Sequence, residues 1–269
     1  MIEQRQFGEI LQLEMGKEIN GQVMYSMAAY YVDGMLIDTG PYSVTGEAQQ
    51  FFPSLPIIKV VNTHHHEDHI GNNFLFQAQS TPIFAHQLAV PLIEDPSLWT
   101  ARLLDYQKLV WEYPPPSHCS PLGEYVESQN YHFRVIHTPG HSFDHICLLE
   151  EEKGWLFSGD LFLAEKVKVL RSDEDVHMSM QSLAKLLHYE FDTIFCCSGR
   201  IFEQARPKMQ NKLNWWQDLY QQVMKLDDNG YNDEEIRDQL LGEENFFAQV
   251  TEGDLSKLNL IRSFLAIPR

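Results

Sequence analysis

The run Thr63-His64-His65-His66-Glu67-Asp68-His69 packs four histidines and two acids into seven residues. Imidazole nitrogen and carboxylate oxygen are the donors that zinc, iron and manganese take. Read as His-x-His-x-Asp-His, the run offers His64, His66, Asp68 and His69 as ligands. A solvated histidine tract is the bland alternative. The flanks argue against it. Ile57-Ile58-Lys59-Val60-Val61 suits a buried strand, and Ile70-Gly71-Asn72-Asn73-Phe74-Leu75-Phe76 suits the opening of a helix. Ligands at the C-terminal end of a strand sit on a rigid support, where an α/β sheet usually places its site.

Three further landmarks follow in order: Val32–Gly40 with its Asp38-Thr39-Gly40 turn, Thr138-Pro139-Gly140-His141-Ser142, and Phe157-Ser158-Gly159-Asp160. With the histidine run, they resemble the metallo-β-lactamase superfamily over roughly residues 20–200. The resemblance implies an αββα four-layer sandwich of α/β class. It also implies roles. His64, His66 and His141 resemble the ligands of a first metal, Asp68 and His69 those of a second, and Asp160 the carboxylate that bridges them. A last histidine is expected after the next strand, and Arg200 stands in the matching segment Cys197-Ser198-Gly199-Arg200-Ile201. A guanidinium has no lone pair for a metal. The second site is therefore expected to be weak, empty, or completed by water or another side chain. Arg200 itself is read as a fixed charge that repels a second cation and holds a substrate carboxylate or an oxyanion. Pairing with a surface acid is the alternative.

Neighbouring residues are read more plainly. His65 and Glu67 fall between ligands and are expected to point away. Asp144 and His145 are expected to orient the loop that carries His141. His137 belongs to the preceding strand. Phe195-Cys196-Cys197 reads as the end of a buried strand, so both cysteines are expected to pack rather than ligate, although thiolate is a good zinc ligand.

Residues 1–205 alternate short apolar runs with turns and are read as the catalytic domain. Strands are expected at Phe7–Glu14, Val23–Tyr31, Pro82–Ala85, Tyr131–Ile136, Ile146–Leu149, Trp155–Phe157 and Thr193–Cys197, and helices at Thr45–Phe52 and Ser179–Leu187. An insertion, about residues 88–121, places Trp99, Leu103, Tyr106 and Val110 at helical spacing before Pro114-Pro115-Pro116 stops the helix. It could cover the metal mouth or simply pack. Residues 206–269 form a C-terminal helical extension with an apolar face of Leu213, Trp216, Leu219, Tyr220 and Val223. Asn232–Glu235 reads as a capped helix start, and Thr251–Asp254 as the cap of a last helix. These helices suit substrate selection, a docked clip or a homodimer contact.

The 269 residues suffice for one large core with an appendage, and the net charge of −18 disfavours nucleic acid. Four unevenly placed cysteines suggest no disulfide framework. Neither a signal peptide nor a membrane span is visible, so the cytoplasm is the expected location. The leading function is a metal-dependent hydrolase acting through a metal-bound hydroxide on an ester, thioester or lactone, with Asp68 and Arg200 as catalytic groups. The cofactor is one or two divalent ions, zinc before iron or manganese. The alternatives are a mononuclear iron oxygenase resembling persulfide dioxygenases, and a metal-containing ligand-binding or regulatory protein.

Overall fold

The computed structural model describes residues 1–266. A first sheet runs β1 (Ile2–Phe7), β2 (Ile10–Ile19), β3 (Gln22–Val32), β4 (Met35–Ile37), β5 (Lys59–Val61), β6 (Ile83–Ala85) and β7 (Ser120–Pro121) in spatial order. Its first four strands are antiparallel, while β4 to β7 are parallel. The second sheet comprises β8 (Tyr125–Glu127), β9 (His132–His137), β10 (Ile146–Glu150), β11 (Trp155–Phe157), β12 (Thr193–Phe195) and β13 (Ile201–Phe202), with β11 and β12 parallel.

The alternation of side chains along each strand builds the layers. Ala28, Tyr30 and Val32 of β3 point inward, and meet Ile146 and Leu148 of β10, Phe157 and Phe195 between the two sheets. Their neighbours Met27 and Ala29 point outward onto Val44, Ala48, Phe52, Ile70 and Phe76. Those residues belong to or flank the short helices α1 (Thr45–Phe51), α2 (Glu67–Ile70) and α3 (Asn73–Gln77). Cys147 and Leu149 of β10 point outward on the other side. After α4 (Val90–Glu94), α5 (Ser97–Thr100) and α6 (Asp105–Val110) come the helices of that side: α7 (Val176–Leu186), α8 (Ala205–Asp228), α9 (Asp233–Leu241), α10 (Phe246–Val250) and α11 (Lys257–Leu265). Leu183, Met209, Trp216, Val223, Ile236 and Phe264 complete that outer core. The result is helix, sheet, sheet, helix. None of the described helices is long and apolar enough to cross a membrane.

Several local expectations change. The Trp99–Val110 stripe is two short helices, because Leu104 is extended (φ −77°, ψ 165°) and restarts the chain with Gln107 closing back onto its N–H at 2.8 Å. Phe7–Glu14 is broken by Gly8 at φ +55°, which turns β1 into β2. The capped start at Asn232 is present, with Oδ1 accepting from Glu235 N–H at 3.0 Å. The last helix is capped by Ser256 instead of the Thr251–Asp254 segment.

The turn after β4 is locked to the histidine run. Asn72 Nδ2 donates to the carbonyls of Thr39 and Pro41, each at 2.9 Å. A Cβ on Gly71 would lie 2.2 Å from Tyr42 N and 2.5 Å from Pro41 C, both backbone atoms. Gly71→Ala is therefore expected to destabilise the fold by about 1–3 kcal/mol, the usual cost of overpacking. Urea denaturation checks this, and an unchanged midpoint would contradict it.

Candidate metal centre

The candidate ligands sit at strand ends that face the same edge of the sandwich. His64, His66, Asp68 and His69 follow β5, Asp160 follows β11, and His141 lies between β9 and β10. His66 Nδ1 lies 3.0 Å from both His64 Nε2 and His141 Nε2. The ligand atoms of these three histidines all lie within 4.8 Å of one another. A second set, His64, His69 and Asp160, meets the same limit. Asp160 joins the two sets: Oδ2 is 3.3 Å from His141 Nε2 and Oδ1 is 3.2 Å from His69 Nε2. Asp68 Oδ2 is 3.7 Å from His69 Nε2.

This arrangement fits a metal better than a hydrogen-bond network. Burial holds His64 and His66 well below the ordinary imidazole value, helped by the neighbouring rings and, for His66, first by the Arg171 charge. Thr63 Oγ1 donates to Asp38, so the neutral His64 ring donates from Nδ1 and turns its Nε2 lone pair toward the cluster, as a metal ligand does. His69 Nε2 and Asp160 Oδ1 are buried and lack a hydrogen bond of acceptable geometry. Such orphaned buried atoms are costly unless something binds them.

The opposite ring nitrogens are held from behind, as ligand histidines commonly are. Asp38, at φ +61°, is the pivot. Its Oδ2 accepts from His69 Nδ1 and from Thr63 Oγ1, each at 2.8 Å, and its Oδ1 accepts from Thr63 N–H at 2.8 Å. Thr63 Oγ1 in turn meets His64 Nδ1 at 3.0 Å. Glu174 Oε1 lies 3.5 Å from His141 Nδ1. Burial works against protonation of His69 and His141, but the surrounding carboxylates outweigh it and raise both. The Asp38 turn was visible in sequence as Asp-Thr-Gly. Glu174 carried no signal there.

The residues between the ligands point away from them. His65 is held by Asp144 through a backbone and a side-chain contact, each 2.9 Å. Glu67 accepts from Gln107 of α6 at 2.7 Å. His145, pushed down to about 3 by burial, is a neutral acceptor for the Asp160 N–H at 3.1 Å. It thus fixes the backbone of Asp160.

Arg200 requires a correction. It is exposed and does not line the cleft, whereas Cys197 and Ser198 do. The reason is the tight reversal between β12 and β13. Gly199 takes φ +73°, Cys196 N–H closes on the Arg200 carbonyl, and Gln12 Nε2 donates to the Gly199 carbonyl at 2.9 Å. Arg200 thus immediately precedes the outgoing strand β13.

The cations of the cleft are Lys212 and Arg171, which sequence reasoning missed. Lys212 lines a cavity of about 230 Å³ together with Asp68, Asp160, Tyr106, Trp111 and Trp216. It donates to the Leu161 carbonyl at 2.7 Å and faces the Trp216 ring at 4.4 Å. Lys212 reads as an ordinary polar residue of an amphipathic helix, and only the packing of α8 shows that it is 2% exposed. Arg171 is committed to acids: Nε donates to Asp173 at 3.1 Å and lies 4.0 Å from Asp254. On its other side lies a more polar cavity of about 610 Å³, lined in part by His65, Trp99, Arg102 and Phe143.

Fold and site together define a class, and the family comparison agrees. Residues 28–198 match the model of the metallo-beta-lactamase superfamily, and the chain belongs to that superfamily. It is 30% identical over 200 residues to a beta-lactamase-like protein 2 homolog of Drosophila melanogaster, covering 71% of this chain and 63% of that protein. It is 29% identical over 160 residues to a thioesterase of Emericella nidulans, covering 56% of this chain and 39% of that one. The chain thus spans less than two thirds of each relative's length. A metallo-beta-lactamase family protein from Thermus thermophilus superposes with a TM-score of 0.69 at 19% identity, covering 96% of this chain and 92% of that one. At that identity the likeness concerns the fold.

Two outcomes are expected. His64→Ala and His141→Ala each lose most bound metal by elemental analysis, because both nitrogens belong to the tighter cluster; full metal content in both would refute the assignment. Arg200→Ala keeps its metal, and a marked loss would restore Arg200 to the site.

Proposed function

We propose that this protein is a metal-dependent hydrolase of a small ester, thioester or lactone. The observation that carries the reading is the pair of ligand sets joined by Asp160, opening onto a cleft with a buried lysine. The hydrolytic relative supports the same class. His64, His66 and His141 would hold one ion, and Asp68, His69 and Asp160 the other, with zinc the first choice for an imidazole-rich set. Such an ion supplies activated water at neutral pH and polarises an acyl oxygen.

The chain's own groups do the rest. Burial lifts the Asp68 carboxyl to about 6, against the pull of His69. Asp68 lines the cleft with Asp160 and His141 and would orient the attacking water there. The Lys212 ammonium donates to an acyl oxygen or carboxylate of the substrate, taking over the part that sequence reasoning gave to Arg200. Tyr25, Tyr106 and Trp111 pack against one another with centroids 5.9–6.0 Å apart and form one wall of the cleft. They exclude water and select the acyl chain. The insertion thus contributes wall residues as well as packing.

Lys212 provides the sharpest test. Burial pulls it down to about 8. Keeping it charged at pH 7 costs about 3 kcal/mol of stability relative to the unfolded chain, where lysine titrates near 10.4. The unfolded state then binds more protons between these values, so this cost eases as pH rises from about 8 toward 10. Lys212→Met is expected to keep its metal and to match or exceed wild-type Tm at pH 7, with the difference shrinking above pH 8. Its kcat/KM should fall at least ~10-fold on the best substrate of an ester, thioester and lactone panel. Undiminished turnover would remove Lys212 from the reaction. Oxygen consumption without hydrolysis of any panel member would favour the iron oxygenase reading instead.

A further inference from the structure

We infer that Cys197 is a metal ligand, its thiolate standing where the family pattern calls for a histidine at the second ion. The inference rests on reading the histidine cluster as a metal centre.

The second set has an unmet need. His69 is fully buried, yet its Nε2 and the facing Asp160 Oδ1 lack a good hydrogen-bond partner. Cys197 is buried and sits beside Asp160, just past the ends of the paired parallel strands β12 and β11. It lines the same cleft as Asp68 and Asp160. Its backbone is fixed on both sides: its N–H donates to the Gly159 carbonyl at 3.2 Å, and its carbonyl accepts from Ala28 N–H at 2.6 Å. Tyr30 Oη donates to the adjacent Cys196 carbonyl at 2.6 Å. These bonds span both sheets and leave the Cys197 side chain facing the ligand edge. Cys196 is different. It belongs to the outer core, and its Sγ meets Ser198 Oγ at 3.0 Å and the Arg200 carbonyl at 3.3 Å.

The chemistry balances simply. As a divalent ion binds, the Cys197 S–H bond breaks, the proton passes to solvent, and a sulfur–metal bond forms with no change of oxidation state. Asp68, His69, Asp160 and Cys197 would then hold the ion. One imidazole and one thiolate with two carboxylates suit zinc or cobalt better than magnesium or calcium. The sequence expectation that both cysteines merely pack holds for Cys196 and is replaced for Cys197.

Cobalt(II) titration of the metal-free protein tests this. Wild type is expected to bind two equivalents and to show a near-ultraviolet sulfur-to-cobalt charge-transfer band. Cys197→Ser should lose that band and one equivalent of cobalt, while Cys196→Ser keeps both. Zinc-edge X-ray absorption of the wild-type zinc protein needs no variant and should contain a sulfur shell at about 2.3 Å. Cobalt bound with neither a charge-transfer band nor a sulfur shell overturns the Cys197 assignment alone. Failure to bind cobalt or zinc at all overturns the assignment together with the metal-centre reading. A Cys197→Ser protein that keeps the band also overturns it.

Discussion

Imidazole nitrogens in contact and away from water are the constraint on which the rest of this structure depends. Three of them meet around His66 at 3.0 Å. Protonated rings at that distance would repel in a medium that screens poorly. The neutral His64 ring, donating from Nδ1 to Thr63, turns its Nε2 lone pair toward His66. A cation placed among these nitrogens and the Asp160 carboxylate gives the cluster its best-matched partner. The surrounding fold holds the rings in place. Asp38 grips Thr63 and His69, His145 fixes Asp160, and the Asn62–Asn73 pair, with Asn73 Nδ2 donating to Asn62 Oδ1 at 2.8 Å, braces the run from behind.

Topology explains how the fold can hold such a cluster. Parallel strands end together, so β4, β5, β11 and β12 deliver Asp38, the histidine run, Asp160 and Cys197 to one edge. The loop after β9 brings His141 from the far side of the second sheet, steadied by Gly140 at φ +141°, where a Cβ would lie 2.2 Å from Ser179 Oγ. The helices of the C-terminal portion then close the cleft with Lys212 and Trp216. A rigid ligand edge and an enclosing helical wall are the division of labour expected of a site built on strand ends.

Much of this was legible in the sequence, because the ligands cluster in a short run and the strands near them are strongly apolar. The layers followed from the two-residue alternation of β3 and β10. Other features depended on long-range packing. Lys212 looks like one more polar residue of α8 until Trp216 and Leu161 enclose it. Glu174 and His141 meet only because two loops fold together. The exchange of Arg200 for Cys197 turned on the tightness of one reversal, where Gly199 at φ +73° turns the chain before Arg200 can face the cleft. Spacing shows that a turn is present; it does not show which of its side chains faces the ligands. The split of the Trp99 stripe into α5 and α6 likewise came from a capping interaction at Leu104 that competes with helical periodicity.

The buried histidine and carboxylate cluster is proposed as a metal centre for one or two ions. Elemental analysis of the wild-type protein, purified without added metal and dialysed against metal-free buffer, addresses it most directly. The account expects between one and two equivalents of a divalent transition metal per chain, retained through dialysis and removed only by a strong chelator. Metal well below one equivalent, with none taken up from a zinc-supplemented buffer, would contradict it.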